Sequence, residues 1–121
     1  TVVGDLREGV NTYDAFKATF PAGTMTGAPK IRAMEIIEEL EDSRRGIYSG
    51  ALGLIGFNGF VNTALCIRTA IYKDKVYSIR ASAGIVADSE PEAEWQETLS
   101  KLGASYLAIT GKELRDERFV N

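Results

Sequence analysis

Apolar positions along the chain repeat with two different periods. In "NTYDAFKATF" (11–20), Tyr13, Phe16 and Phe20 fall at helical spacing behind Asn11, a residue type that caps helix N-termini. In "PKIRAMEIIEELE" (29–41), Ala33, Ile36, Ile37 and Leu40 share one face, with Arg32, Glu35, Glu38 and Glu39 away from it. That pattern predicts an amphipathic helix starting near Pro29, where proline is tolerated in the first turn. From Gly46 the period becomes two. "IYSGALGLIGF", opened by Tyr48, and "VNTALCIRTAIY" read as strands joined by Asn58-Gly59, and "YKDK" turns into a third run, "VYSIRAS". Three such runs predict an antiparallel meander. Near the end, Ser89 and Glu92 have the spacing of a capping box ahead of a helix that runs to about Thr110 and stops at Gly111. Trp95, Leu99, Leu102 and Tyr106 form its apolar stripe. Glu90, Glu94, Glu97 and Lys101 form a second stripe about 140° around, at ~100° per residue. Helices set apart from an antiparallel meander make the fold class α+β rather than parallel α/β.

Between the first two helices lies "FPAGTMTGAPK" (20–30), in which Pro21, Gly23, Gly27 and Pro29 exclude a regular helix or strand. It does not match a phosphate loop, since the Gly23-to-Lys30 spacing is wrong and no Gly-Lys-Ser/Thr ending follows. A dinucleotide-binding glycine fingerprint is absent as well. No repeat, low-complexity tract or linker interrupts the chain.

Composition narrows the chemistry. The 121 residues fit one domain, and 45% apolar with 26% charged content is that of an ordinary soluble protein. A net charge of −3 with interspersed signs argues against a nucleic-acid surface. One cysteine, Cys66, excludes an internal disulfide and permits a reducing compartment. No apolar run approaches the ~20 residues of a membrane span. "TVVGDLREG" has no signal-peptide pattern. Thr1–Val3 are β-formers with no turn before them, so the chain reads as one entered in mid-strand, a fragment. The absence of histidine removes imidazole ligands, histidine triads and the usual general base together. Chemistry here rests on carboxylates, lysine, arginine, tyrosine, hydroxyls and backbone amides.

Three constellations stand out, each beside a plain alternative. Glu94 and Glu97 leave one helical face together, as oxygen ligands of a hard cation such as Mg²⁺ would, or as members of a solvated polar face. Arg68 interrupts an otherwise apolar strand, where its planar fork suits a carboxylate, although one side of an antiparallel sheet can simply be wet. "ASAGIVADS" offers small residues whose amides approach an anion, or a tight strand-to-helix connection.

Taken in order, "FPAGTMTGAPKIRAMEIIEELE", "RRGIYSGALG", "NTALCIRTA" and "AGIVADSEPEAEWQETLSK" resemble the chorismate-utilising enzymes. The resemblance is to the C-terminal part of anthranilate synthase component I and its relative aminodeoxychorismate synthase component I. It covers most of residues 15–101 and implies roles. Thr24 matches the hydroxyl near the chorismate ring, and Tyr48 with Arg68 matches the pair on the enolpyruvyl carboxylate. Glu94 and Glu97 match two Mg²⁺-binding glutamates. Lys101 matches a lysine near the substrate network, and Ser82 with Gly84 matches a backbone-amide contact that is usually Gly-x-Gly. Ser82 departs from that pattern, which matters if the position needs a positive φ.

The resemblance further implies Mg²⁺ as cofactor, a separate glutamine amidotransferase subunit supplying ammonia, and a cytoplasmic location. It leaves a homo-oligomer open. A histidine motif, further glutamates and the segment that separates the two chemistries lie upstream in the family. The chain is therefore expected to be the C-terminal fragment of a chorismate-binding domain, inactive alone, with the acid or base elsewhere. "PAGT" leans towards the anthranilate branch. The aminodeoxychorismate branch and a non-catalytic scaffold of the same fold remain the alternatives.

Overall fold

The computed structural model describes residues 3–116, arranged as two compact units, Thr1–Leu65 and Cys66–Asn121. The first unit opens with α1 (Thr12–Thr19). Asn11 caps it by accepting from the Asp14 amide at 3.0 Å, while the Asp14 carboxylate accepts from the Asn11 amide at 3.2 Å. This reciprocal pair satisfies two of the amides that a helix start leaves open. Phe16 and Phe20 stack one turn apart, with ring centroids at 5.2 Å. The proline- and glycine-rich stretch is not wholly irregular, because Gly23–Thr26 closes one helical turn, α2. Gly27, at φ 91°, ends it in a conformation open chiefly to glycine. The helix α3 (Lys30–Leu40) follows, with Pro29 at its N-cap.

A turn over residues 46–49 then leads into β1 (Ala51–Ile55), so Tyr48 precedes the strand rather than opening it. β1 pairs antiparallel with β2 (Val61–Leu65), from Ala51 opposite Leu65 to Ile55 opposite Val61. The connecting turn uses Asn58-Gly59 as expected, with Gly59 at φ 86° and the Gly59 carbonyl accepting from Thr12 Oγ1 at 2.9 Å.

The second unit corrects the expected meander. "VNTALCIRTAIY" is not one strand: pairing stops at Leu65 and resumes at Ala70, and between them Arg68 takes φ 53°. A left-handed residue breaks the extended repeat, which is uncommon for anything but glycine, asparagine or aspartate. The outcome is two separate antiparallel ribbons, β1-β2 and, in this unit, β3 (Ala70–Lys73) with β4 (Val76–Ile79). Asp74 and Lys75, at φ 50° and 66°, form the mirror-image two-residue turn that suits strand twist. Opposite each other across the ribbon, Tyr72 and Tyr77 bring their rings to 4.6 Å.

The helix α4 (Pro91–Thr110) ends at Gly111 in the left-handed conformation, φ 70°, as the sequence predicts. Its start differs. Glu90 is the N-cap and no side chain caps it, because the Ser89 hydroxyl is engaged by Glu94 instead of the helix amides. α4 packs beside β4.

Among the described residues no side chain is buried, and no helix is long and apolar enough to cross a membrane. The mid-strand reading of Thr1–Val3 falls largely outside the described residues; Val3 itself is in no strand and is 90% exposed.

Candidate functional site

In the second unit, the residues singled out in the sequence converge around α4. Glu94 and Glu97 lie one turn apart, yet their surroundings differ. Glu94 is half-buried, and its Oε1 accepts from the Ser89 hydroxyl at 2.7 Å. That hydroxyl in turn accepts from the Val86 amide at 3.0 Å. The second oxygen of Glu94, Oε2, is shielded from solvent and has no hydrogen-bond partner. A buried carboxylate oxygen left in that state is costly unless something positive meets it.

Glu97 is the wetter of the two, with about half of its side chain exposed (51%), and forms an ion pair with Lys101 at 2.5 Å. The Lys101 ammonium holds the Glu97 carboxyl below the ordinary carboxylate range, through its hydrogen bond first and its charge second. Burial opposes this, and Glu94 and the Arg68 charge, each a lesser influence than burial, lower it further. Arg68 therefore lies within electrostatic reach of Glu97. Lys101 also donates to the Ser82 carbonyl at 3.1 Å, which ties α4 to the "ASAG" segment behind β4.

Ser82 is not among the residues with positive φ. A positive φ, the reason to need glycine, is therefore absent there. Gly84 is exposed, and a Cβ built on it would meet nothing within 4 Å.

Thr24 and Tyr48 belong to the first unit. Thr24 is exposed on the single turn α2; Tyr48 is half-buried beside Arg45, whose guanidinium carbon stands 5.7 Å from the ring centroid. A half-open cavity of about 690 Å³ is lined by residues between Pro21 and Gly50 and is reached by Tyr48 but not by Thr24. Glu38, Glu41 and Asp42 line that cavity alongside Arg44 and Arg45, so its charge balance offers little to a dianion.

Among the described residues no group of three or more carboxylate, cysteine or histidine side chains could enclose a metal. The donor chemistry of the Glu94–Glu97 pair nonetheless fits a hard cation. Mg²⁺ takes oxygen ligands, keeps several waters and is often held by only one or two carboxylates. The unpartnered Glu94 Oε2 is the atom such an ion would satisfy.

Residues 1–106 match the family model described as chorismate binding enzyme. The chain belongs to the chorismate binding enzyme family. Its relatives in that family carry two different names. It is 63% identical over 114 residues to 2-amino-4-deoxychorismate synthase of Streptomyces globisporus, covering 94% of this chain and 23% of that protein. It is 59% identical over 108 residues to anthranilate synthase component 1 of Aquifex aeolicus, covering 89% of this chain and 22% of that one. The match to anthranilate synthase component 1 of Pseudomonas aeruginosa is 53% over 108 residues, with 89% and 22% coverage. The chain spans less than a quarter of the length of these relatives.

Ser89 and Arg45 have contacts that their sequence positions did not announce. Ser89 was read as a helix cap and instead orients Glu94; the signal was a hydroxyl just ahead of the acidic stripe. Arg45 was passed over within "RRG", although it stands four residues after Glu41, at ion-pair spacing.

Proposed function

We propose that this chain is the C-terminal part of a longer, Mg²⁺-dependent enzyme of anthranilate synthase type, which adds ammonia to chorismate. The observation that carries this reading is the unpartnered, shielded Glu94 Oε2, set beside Glu97 with Arg68 in electrostatic range. Chorismate carries two carboxylates, and a closed site needs a cationic partner for each. Arg68 is the partner for the enolpyruvyl carboxylate.

Glu94 and Glu97 would hold the Mg²⁺, which when bound neutralises the ring carboxylate and eases loss of the 4-hydroxyl. Ser89 holds Glu94 in place and Lys101 holds Glu97, so both carboxylates are set before any ion arrives. Lys101 also fixes the Ser82 carbonyl, and the Gly84 amide in the same segment is the backbone donor that would meet substrate oxygen. Thr24 offers its hydroxyl near the ring. The acid or base that moves protons belongs to the rest of the longer chain, since no histidine is present here. Ammonia would come from a glutamine amidotransferase subunit, in keeping with the "component 1" in the relatives' names. The reaction would take place in the cytoplasm.

Two outcomes share the amination step. Anthranilate requires elimination of pyruvate after the amine has added, whereas a 2-amino-4-deoxychorismate product retains the enolpyruvyl group. The 63% identity to an enzyme with the latter name supports that second reading. Mass analysis of the product from chorismate, ammonia and Mg²⁺ with the full-length enzyme separates them. Anthranilate with equimolar pyruvate is expected; an aminated product that still carries the side chain would favour the second reading, and no aminated product would refute both.

A further inference from the structure

We propose that Arg45 is a positioning residue that holds the Tyr48 turn and the Thr24 turn in a fixed relation to one another. The proposal rests on the reading of Thr24 and Tyr48 as chorismate contacts. The observation is that one guanidinium binds three separate segments of the first unit. Its Nε donates to both oxygens of Glu41, at 3.0 and 2.9 Å, and its Nη2 donates to Glu41 Oε1 at 2.6 Å. Glu41 is the C-cap of α3, so this fork anchors Arg45 to the end of that helix. Nη1 then reaches two other places: the Met25 carbonyl on α2 at 3.2 Å and the Ser49 hydroxyl at 3.1 Å.

Met25 follows Thr24 directly, and Ser49 follows Tyr48. Arg45 thus grips the residue after each substrate contact, and its guanidinium lies 5.7 Å from the Tyr48 ring centroid. Each turn is closed by short-range backbone hydrogen bonds, which set its shape but not its relation to the other. α2 is a single turn with no side-chain cap, and Ser49 takes φ 70°, where only a surrounding scaffold keeps a serine.

The anchor is also better shielded than a surface ion pair. The Arg45 and Glu41 side chains are 20% and 26% exposed, against 57% and 54% for Arg32 and Glu35 on α3. Screening weakens the latter much more. Glu41 stabilises the charged guanidinium and raises its already high pKa despite burial. Lysine cannot replace this arrangement, because its compact ammonium lacks the planar guanidinium that reaches Glu41, Met25 and Ser49 through three separate nitrogens.

The test is a double-mutant cycle in the full-length enzyme, read as kcat and KM for chorismate at saturating ammonia and Mg²⁺. Tyr48→Phe alone is expected to raise the chorismate KM; no change would overturn Tyr48 as a substrate contact, and the proposal with it. Arg45→Met is expected to raise KM about tenfold with kcat nearly retained, the loss of uniform binding. In that background Tyr48→Phe should cost less than about twofold more, since the hydroxyl is already out of place. An equal cost of Tyr48→Phe with and without Arg45 overturns the positioning role and leaves the Tyr48 contact standing. A drop in kcat at unchanged KM overturns it too, as that is the mark of lost folded enzyme. If Arg45→Met does not fold, Glu41→Gln takes its place in the cycle, under the same two outcomes. Arg45→Lys should behave like Arg45→Met rather than like the parent; full retention of KM would contradict the fork.

Discussion

Arg68 shows how much a single residue can carry in this chain. Its left-handed backbone ends the regular pairing after β2, and its charge contributes to the depressed Glu97 carboxyl. In the full-length enzyme Arg68→Ala should raise the chorismate KM at least about tenfold, the worth of one charge-assisted hydrogen bond. Steady-state kinetics would measure it, and an unchanged KM would refute the carboxylate contact. Lys101 has a different signature. Because the Glu97 carboxyl is depressed in the fold chiefly by Lys101, the ion pair stabilises the fold at pH above the ordinary carboxylate value. Its contribution is lost as pH falls through the lowered one. Lys101→Met should therefore move the Glu97 titration up towards the ordinary range. Carbon-13 NMR of the carboxylate would follow the shift, which has to be upward. The effect on stability is small because the pair is half in water.

At the scale of elements, helix ends were the most legible features, because their rules are local. Asn11, Asp14 and Gly111 do in the structure what their chemistry predicts. Replacing Asn11 with Ala in the full-length enzyme should cost about 1 kcal/mol in denaturant unfolding. Gly111→Ala should cost about 1–2 kcal/mol, since alanine disfavours the left-handed cap. Features that depend on distant partners were harder to read. Cys66–Ala70 contains no glycine or proline, so nothing in the turn chemistry announces that Arg68 turns the backbone and divides the ribbons. Ser89 has the spacing of a cap with Glu92, but the helix starts one residue later with Glu90 as N-cap, and the Ser89 hydroxyl accepts from the Val86 amide and donates to Glu94. The Glu94–Glu97–Lys101 stripe was legible from helical spacing alone. That Lys101 bonds the Ser82 carbonyl was not, because the contact joins residues nineteen apart in sequence.

At the scale of the molecule, apolar residues lie open in the first unit. In β1, Leu52, Leu54 and Ile55 are 72%, 70% and 62% exposed, so neither face of the strand is covered. A strand apolar on both faces belongs inside a larger assembly of elements, in accord with a chain that spans under a quarter of its relatives. With no side chain buried among the described residues, hydrophobic gain cannot match the entropy of ordering the backbone. The isolated 121-residue chain should therefore bind an apolar dye, show no sharp thermal transition and turn over no chorismate. Calorimetry that found one cooperative transition would contradict this.

The central claim is that the shielded, unpartnered oxygen of Glu94 is a metal ligand at a chorismate site. It is tested most directly by titrating Mg²⁺ into the full-length enzyme and its Glu94→Gln variant while following chorismate consumption. An amide that carries no charge should raise the half-saturating Mg²⁺ concentration at least about tenfold. Superimposable Mg²⁺ curves for the two proteins would contradict the claim.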